Sequence, residues 1–255
     1  MTFFVYDGTF EGLLCAVFES YSRKIVPDYV IFEKEQLSLF SDDVVSIVSN
    51  AEQATRVWKG LQKKLSASAC SMLAVTSMAS DYPDLGSLLF RYVRKTFDTQ
   101  KSIETNFGDS DVLVVSKLYK KVSRESNRVI QFVRFQKTVD NIFFAPIDPI
   151  HNVLPLVVKH FTNRFADQKW VIYDMRRHYG YYFDLKTTQE IIFENLQADL
   201  ESGKLSENVL AHDEKLFQQL WKTYFKSMTI KERINPKLHR QNLPKRFWKY
   251  LTEKQ

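Results

Sequence analysis

At 255 residues, 44% hydrophobic and 26% charged, the chain has a globular composition and enough length to bury a core, which excludes disordered and collagen-like architectures. Its 36 Lys and Arg against 30 Asp and Glu leave +6, a balance that permits an anionic partner without demanding one. The surplus is local: Lys222 to Gln255 hold ten basic residues and two glutamates, a net of +8, so the remainder carries −2.

Thr2 to Tyr6 is a short apolar and aromatic run ending at Asp7-Gly8, which predicts a strand entering a turn. Asp7 or Thr9 then caps a helix with Leu13, Leu14, Val17, Phe18 and Tyr21 on one stripe, ending before Pro27. Tyr29 to Phe32 reads as a second strand. From about 50 to 128 the pattern is helical, with Leu85, Leu88, Leu89, Tyr92, Val93 and Phe97 on one face and Val115, Leu118, Tyr119 and Val122 on another. A β-rich subregion follows, about 129–186. In it Val129 to Phe135 and Ile142 to Pro146 form a hairpin about Val139-Asp140-Asn141, and Trp170 to Met175 pairs with Tyr179 to Asp184 around His178 to Gly180.

Between those hairpins Leu154, Val157, Val158, Phe161 and Phe165 line a helix that tolerates Pro155 in its first turn. Gln189 to Asp199 reads as helix, Glu201-Ser202-Gly203 as loop, and Leu216, Leu220, Tyr224 and Phe225 as one more helix. The basic segment, about 222–255, closes the chain. Pro236 and Pro244 predict a loop over 237–243, and Phe247, Trp248 and Leu251 follow at helical spacing, at least two of them docking on the body. The order β-β-α-β-β predicts an α+β fold: an antiparallel sheet covered on one side by helices, with a largely helical N-terminal half, in a single globular unit.

Cys15 and Cys70, the only cysteines, support neither a disulfide framework nor a cysteine metal site. The N-terminus lacks the basic and apolar regions of a secretion signal, and no uncharged stretch reaches membrane-spanning length, so the expectation is a soluble cytoplasmic protein without membrane association. The seven glycines form neither a dinucleotide fingerprint nor a phosphate loop. No nucleophile elbow or His-Glu-x-x-His is present, and the five histidines follow no metal-ligand spacing, so no cofactor and no metal is expected.

Three clusters carry possible chemistry. His160 and Arg164, four residues apart on a helix edge, suit a phosphate or carboxylate, or else bridge helix to sheet. Asp174 ends the apolar stripe Trp170, Ile172 and must find a partner among Arg176, Arg177, Arg134 or Arg164; it reads as a general acid/base, as a carboxylate orienting an arginine that contacts nucleic acid, or as half of a structural ion pair. In the C-terminal segment, Arg233, Lys245, Arg246 and Lys249 interleave with Phe247, Trp248 and Tyr250, a pattern for phosphate neutralisation and base stacking or for an amphipathic helix with its lysines in water.

Several of these stretches resemble one bacterial family. Tyr6-Asp7-Gly8-Thr9-Phe10-Glu11-Gly12-Leu13-Leu14, Val133-Arg134-Phe135, Ala145-Pro146-Ile147-Asp148-Pro149, His160-Phe161-x-x-Arg164-Phe165 and Trp170-x-Ile172-x-Asp174-x-x-Arg177 are similar to segments of a family assigned to DNA metabolism and DNA repair. So are Leu220-Trp221-x-x-Tyr224-Phe225, Ile230-x-Glu232-Arg233-x-Asn235-Pro236 and Pro244-Lys245-Arg246-Phe247-Trp248-Lys249-Tyr250-Leu251, in the family's order. The resemblance implies kinship with the N-terminal part of uracil-DNA glycosylase fusions, pairing with a radical-SAM protein, and a DNA-repair context without a stated reaction. The chain resembles the stand-alone form of that family.

Three functions follow as expectations. The first is a nucleic-acid-binding accessory protein of DNA repair or DNA metabolism that acts on single- or double-stranded DNA with a separate catalytic partner, Arg164, Arg177, Arg233, Lys245, Arg246, Trp248 and Lys249 contacting the nucleic acid. The second is a DNA-acting hydrolase, nuclease or glycosylase-like, using Asp174 with His160, Arg164 and Arg177. The third is a protein-interaction module for the radical-SAM partner.

Overall fold

The computed structural model describes residues 1–33, 43–193, 205–206 and 208–254. The chain divides into two compact units, Met1–Ser123 and Arg124–Gln255, where the sequence suggested a single unit with subregions.

In the first unit, strand β1 (Thr2–Tyr6) runs into Asp7-Gly8, and helix α1 (Phe10–Arg23) starts there. Thr9 is the cap: its hydroxyl accepts from the Gly12 amide at 2.9 Å, and the Asp7 carboxylate fixes Thr9 through its amide and hydroxyl. Gly8 takes φ +79°, the left-handed conformation a glycine adopts without strain. Strands β2 (Tyr29–Phe32) and β3 (Asp43–Ser46) flank β1, both parallel to it; β3 has no apolar alternation and was not legible in the sequence. Helices α2 (Ala51–Lys64), α3 (Ala67–Thr76) and α4 (Leu85–Asp98) follow, and Leu88, Leu89, Tyr92 and Val93 of α4 are buried as their spacing predicts.

Helix α5 (Ser110–Phe132) buries Val112, Val115, Leu118, Val122 and Val129, and the boundary between the units falls inside it. The strand expected from Val129 is therefore the last turn of this helix. Val129 lies seven residues after Val122 on one stripe, and burial of that stripe outweighs the β propensity of Val-Ile-Gln-Phe.

The second unit is built on a five-stranded sheet of order β4 (Gln136–Lys137), β5 (Phe143–Ile147), β6 (Trp170–Asp174), β7 (Tyr179–Phe183) and β8 (Thr188–Ile191). The expected antiparallel sheet is mixed. Helix α6 (Leu154–Arg164) carries the chain back between β5 and β6, so these two central strands pair in parallel while the outer pairs are antiparallel. Strand β8 occupies the start of the helix expected from Gln189; residues 194–199 and the expected loop at 201–203 lie outside the described residues.

The sheet is covered on both faces, not one. Phe161 of α6 meets Trp170 edge-on at 6.3 Å, while Phe144, Val171, Tyr173 and Met175 pack with Leu205 and Tyr250 on the opposite side. Every residue of β6 is buried, as expected of a central strand with two covered faces. A Cβ on Gly180 of β7 would stand 2.6 Å from the Ile172 carbonyl oxygen and 3.1 Å from the Tyr173 Cα. Gly180→Ala is expected to cost about 1–3 kcal/mol, read from the urea midpoint, because backbone cannot yield as a side chain tip does. An unchanged midpoint would contradict this packing.

Helix α7 (Glu214–Met228) forms where expected, but Leu216, Leu220 and Tyr224 of its apolar stripe are exposed. The expected loop over 237–243 is instead helix α8 (Pro236–Asn242): Pro236 sits in the first turn, where its missing N–H costs nothing, and Asn235 caps the Leu238 amide at 3.0 Å. After Pro244 the chain makes a 3-10 helix, Lys245–Tyr250, whose Phe247 and Tyr250 are buried, with Leu251 beyond it. No helix among the described residues is long and apolar enough to cross a membrane.

Candidate nucleic-acid interface

Two features of the second unit flank the 3-10 helix Lys245–Tyr250. The first lies at the carboxyl ends of the parallel pair β5 and β6, the edge where parallel strands present their loops to ligands. Asp174, 0% exposed, accepts from the amides of Arg176 and Arg177 at 2.9 and 3.1 Å and from the Arg177 guanidinium at 2.8 Å. Arg177 also donates to the carbonyls of Pro149 and Ile150, at 3.2 and 2.6 Å. Of the four arginines the sequence offered as partners, Arg177 supplies the ion pair and Arg176 only its amide. The arrangement ties the loop after β5 to the turn after β6 and leaves Asp174 no contact with solvent.

Beside it Asp148 receives Arg176 Nε at 2.8 Å and Lys249 Nζ at 3.5 Å. Burial pushes the Asp148 carboxyl up, but the Arg176 hydrogen bond and the charges of Arg176 and Lys249 outweigh it and hold the group below the ordinary carboxylate range. The Tyr250 hydroxyl is buried; its pKa is raised by that burial and by Asp148 and Asp174, with Lys249 acting in the opposite sense. Burial and the Asp174 charge raise Tyr179 in the same way, and its hydroxyl donates to Asn152. Glu125, 3% exposed, binds Arg246 at 2.5 Å and the Ile150 amide at 3.0 Å, with Arg128 at 3.7 Å. Arg246 and Lys249 are therefore both ion-paired and only partly exposed. Lys245 alone of the three lysine and arginine residues on this 3-10 helix is exposed.

His160 and Arg164 are not part of this edge. They lie in the last turns of α6, which runs back along the sheet, so they sit toward the start of β6 rather than its end at Asp174. Both are exposed; His160 meets Phe161 edge-on at 5.3 Å and Arg164 covers Phe165 at 5.5 Å. Five strand residues span about 13 Å, so the grouping of Asp174 with His160 and Arg164 is corrected by the direction of α6.

The second feature is a groove of about 700 Å³ formed by the end of α7, the segment 229–235, α8 and Trp248. It brings together Arg233 and Trp248, two residues the sequence nominated, with Phe225, His239 and Lys254, which it did not. His239 and Trp248 lie 5.7 Å apart at 35°, and Lys254 Nζ stands 5.4 Å from the Trp248 ring and 5.7 Å from that of Phe225. Trp248 Nε1 donates to the Leu243 carbonyl at 3.0 Å, which fixes the indole plane. Partial burial and then the Lys254 charge lower the His239 pKa, so the ring is neutral near pH 7. Aromatic rings grouped with cations suit flat, anionic ligands.

These features define an α+β protein whose C-terminal unit couples a cation-rich sheet edge to an aromatic groove. Residues 83–253 match the model of the family described as a domain of unknown function, DUF4130, and the chain belongs to that family. The match takes in the sheet, the ion-paired edge and the groove. No curated protein matches the chain. Among solved structures it is similar to a pGpG-specific phosphodiesterase, PggH from Vibrio cholerae, with a TM-score of 0.31 and 11% identity over 89% of this chain and 99% of that one. A likeness of that extent transfers no function.

Proposed function

We propose that this chain is a cytoplasmic, nucleic-acid-binding accessory protein of DNA repair or DNA metabolism that acts with a separate catalytic partner, and that it holds a single strand in the groove. The observation that carries this reading is the groove itself, where the fixed Trp248 indole, His239 and Phe225 offer stacking faces and Arg233 and Lys254 offer charge. Bases stack on such faces without sequence preference while the cations follow the phosphates. The accessory character is supported by Asp174, whose carboxylate is enclosed and bonded to three donors, a setting for a structural ion pair rather than a proton carrier. The exposed stripe Leu216, Leu220 and Tyr224 on α7 supports a protein partner. A radical-SAM protein or a uracil-DNA glycosylase is the class of partner the family resemblance implies.

Fluorescence anisotropy with labelled single- and double-stranded oligonucleotides tests the reading. Trp248→Ala is expected to weaken single-strand binding about 5- to 100-fold, the loss of one stacked base at about 1–3 kcal/mol. Arg233→Ala and Lys254→Ala should each make the slope of log K against log salt shallower by about 0.7. Salt-independent binding, or none, would remove the basis of the proposal.

A further inference from the structure

We infer that a second cavity of this unit, between the β4–β5 pair and the start of α7, is a base pocket that takes one nucleobase of the strand held in the groove. The pocket deepens the single-strand reading and rests on it for the source of the base. Its residues are separate from those of the groove.

The cavity measures about 600 Å³, within the range of about 300–1,000 Å³ typical of ligand pockets. Phe135, Phe143, Phe217 and Trp221 give it aromatic walls. Two of these rings are fixed from behind. Phe135 packs edge-on against Phe161 and Phe165 at 6.1 and 5.3 Å, and Trp221 Nε1 donates to Glu253 at 2.8 Å. The mouth is set by Glu214, which is buried and accepts from the Lys137 amide at 3.0 Å and the Gln218 side-chain amide at 2.9 Å, tying α7 to β4.

The charges of the wall stand in pairs: Arg134 with Glu253 at 2.7 Å, and Lys137 with Asp213 at 3.4 Å. Such a wall suits an uncharged ring, while the phosphates follow the cations of the groove. Asp213, Gln218 and Thr252 add a carboxylate, an amide and a hydroxyl to the lining. A base edge carries donors and acceptors that match these groups, whereas an apolar side chain from a protein partner would cover them without hydrogen bonds, at a desolvation cost. The two sites also share α7. Its residues Phe217, Trp221 and Phe225 recur every fourth position and so form one row, the first two in the pocket and the third in the groove. From Phe217 to Phe225 the row runs about 12 Å along the helix.

The test uses the full chain and a single strand trimmed to the shortest length that keeps full affinity. One abasic position is moved along that strand, and anisotropy reads binding by the native chain and its variants. Phe217 is 57% exposed, so Phe217→Ala keeps the fold, which an unchanged urea midpoint verifies. Two abasic positions should each weaken native binding about 5- to 100-fold. Phe217→Ala should make one of them silent and Trp248→Ala the other, and Phe217→Trp, which keeps a stacking face, should restore the first. A single sensitive position that answers to Trp248 alone, or a loss in Phe217→Ala that is uniform over all positions, overturns the pocket and gives the cavity to an aromatic side chain of a protein partner. A chain that binds no strand sinks the single-strand reading, and calorimetric titration with deoxynucleosides then decides the pocket alone. Deoxynucleoside binding that is lost in Phe217→Ala upholds it. No binding, or binding that survives the substitution, overturns it.

Discussion

Asp174→Ala is expected to lower the unfolding free energy of the second unit by about 3–5 kcal/mol, the range for removing one partner of a buried pair. The substitution strips Arg177 of its carboxylate, orphans the amides of Arg176 and Arg177, and loosens the loop at Pro149 and Ile150 that Arg177 holds. Asp174→Asn keeps the shape and an accepting oxygen, so it should lose a smaller share of that stability. Urea unfolding followed by circular dichroism reads both. A fully stable Asp174→Ala protein would show that the carboxylate is not the tie between the two loops, and would reopen its assignment as an acid or base.

Arg246→Ala is expected to cost about 3 kcal/mol in the same measurement. Glu125 would lose its nearest cation while remaining buried, with Arg128 at 3.7 Å as the residual ion pair. Replacing both partners, Glu125→Gln with Arg246→Met, should recover most of the loss, because the penalty comes from the stranded charge and not from the missing attraction. Lys245→Ala, one residue away and exposed, should stay within about 0.5 kcal/mol. Equal, small effects for Lys245 and Arg246 would return Arg246 to the solvent-facing role its sequence context suggested.

The contrast between those neighbouring residues shows where sequence reading stopped. Lys245, Arg246 and Lys249 look alike as a basic run. Periodicity placed Phe247 and Leu251 against the body correctly, but nothing local says that Glu125, 121 positions earlier, waits for Arg246. The groove has the same character. Arg233 and Trp248 stood out by composition, whereas His239 was one of five scattered histidines and Phe225 belonged to an ordinary helical stripe. Their meeting depends on α8, which the two prolines disguised as a loop. Pro236 was read as a breaker although the first turn of a helix accepts it.

By itself the sequence determined the α+β class, the helical N-terminal half, a cap at Asp7 or Thr9, the stripes of α1, α4 and α6, the strands β1, β2, β5, β6 and β7, and the need of Asp174 for a partner. All of these follow from short-range rules of period, capping and charge burial, which act within a few residues. Tertiary structure alone decided that β5 and β6 run parallel, that both faces of the sheet are covered, that α6 carries His160 and Arg164 away from Asp174, and that Asp148 joins Arg176 to Lys249. Each of these depends on which distant segment returns to which strand, and that choice is made by packing across the whole unit, where no local pattern records it.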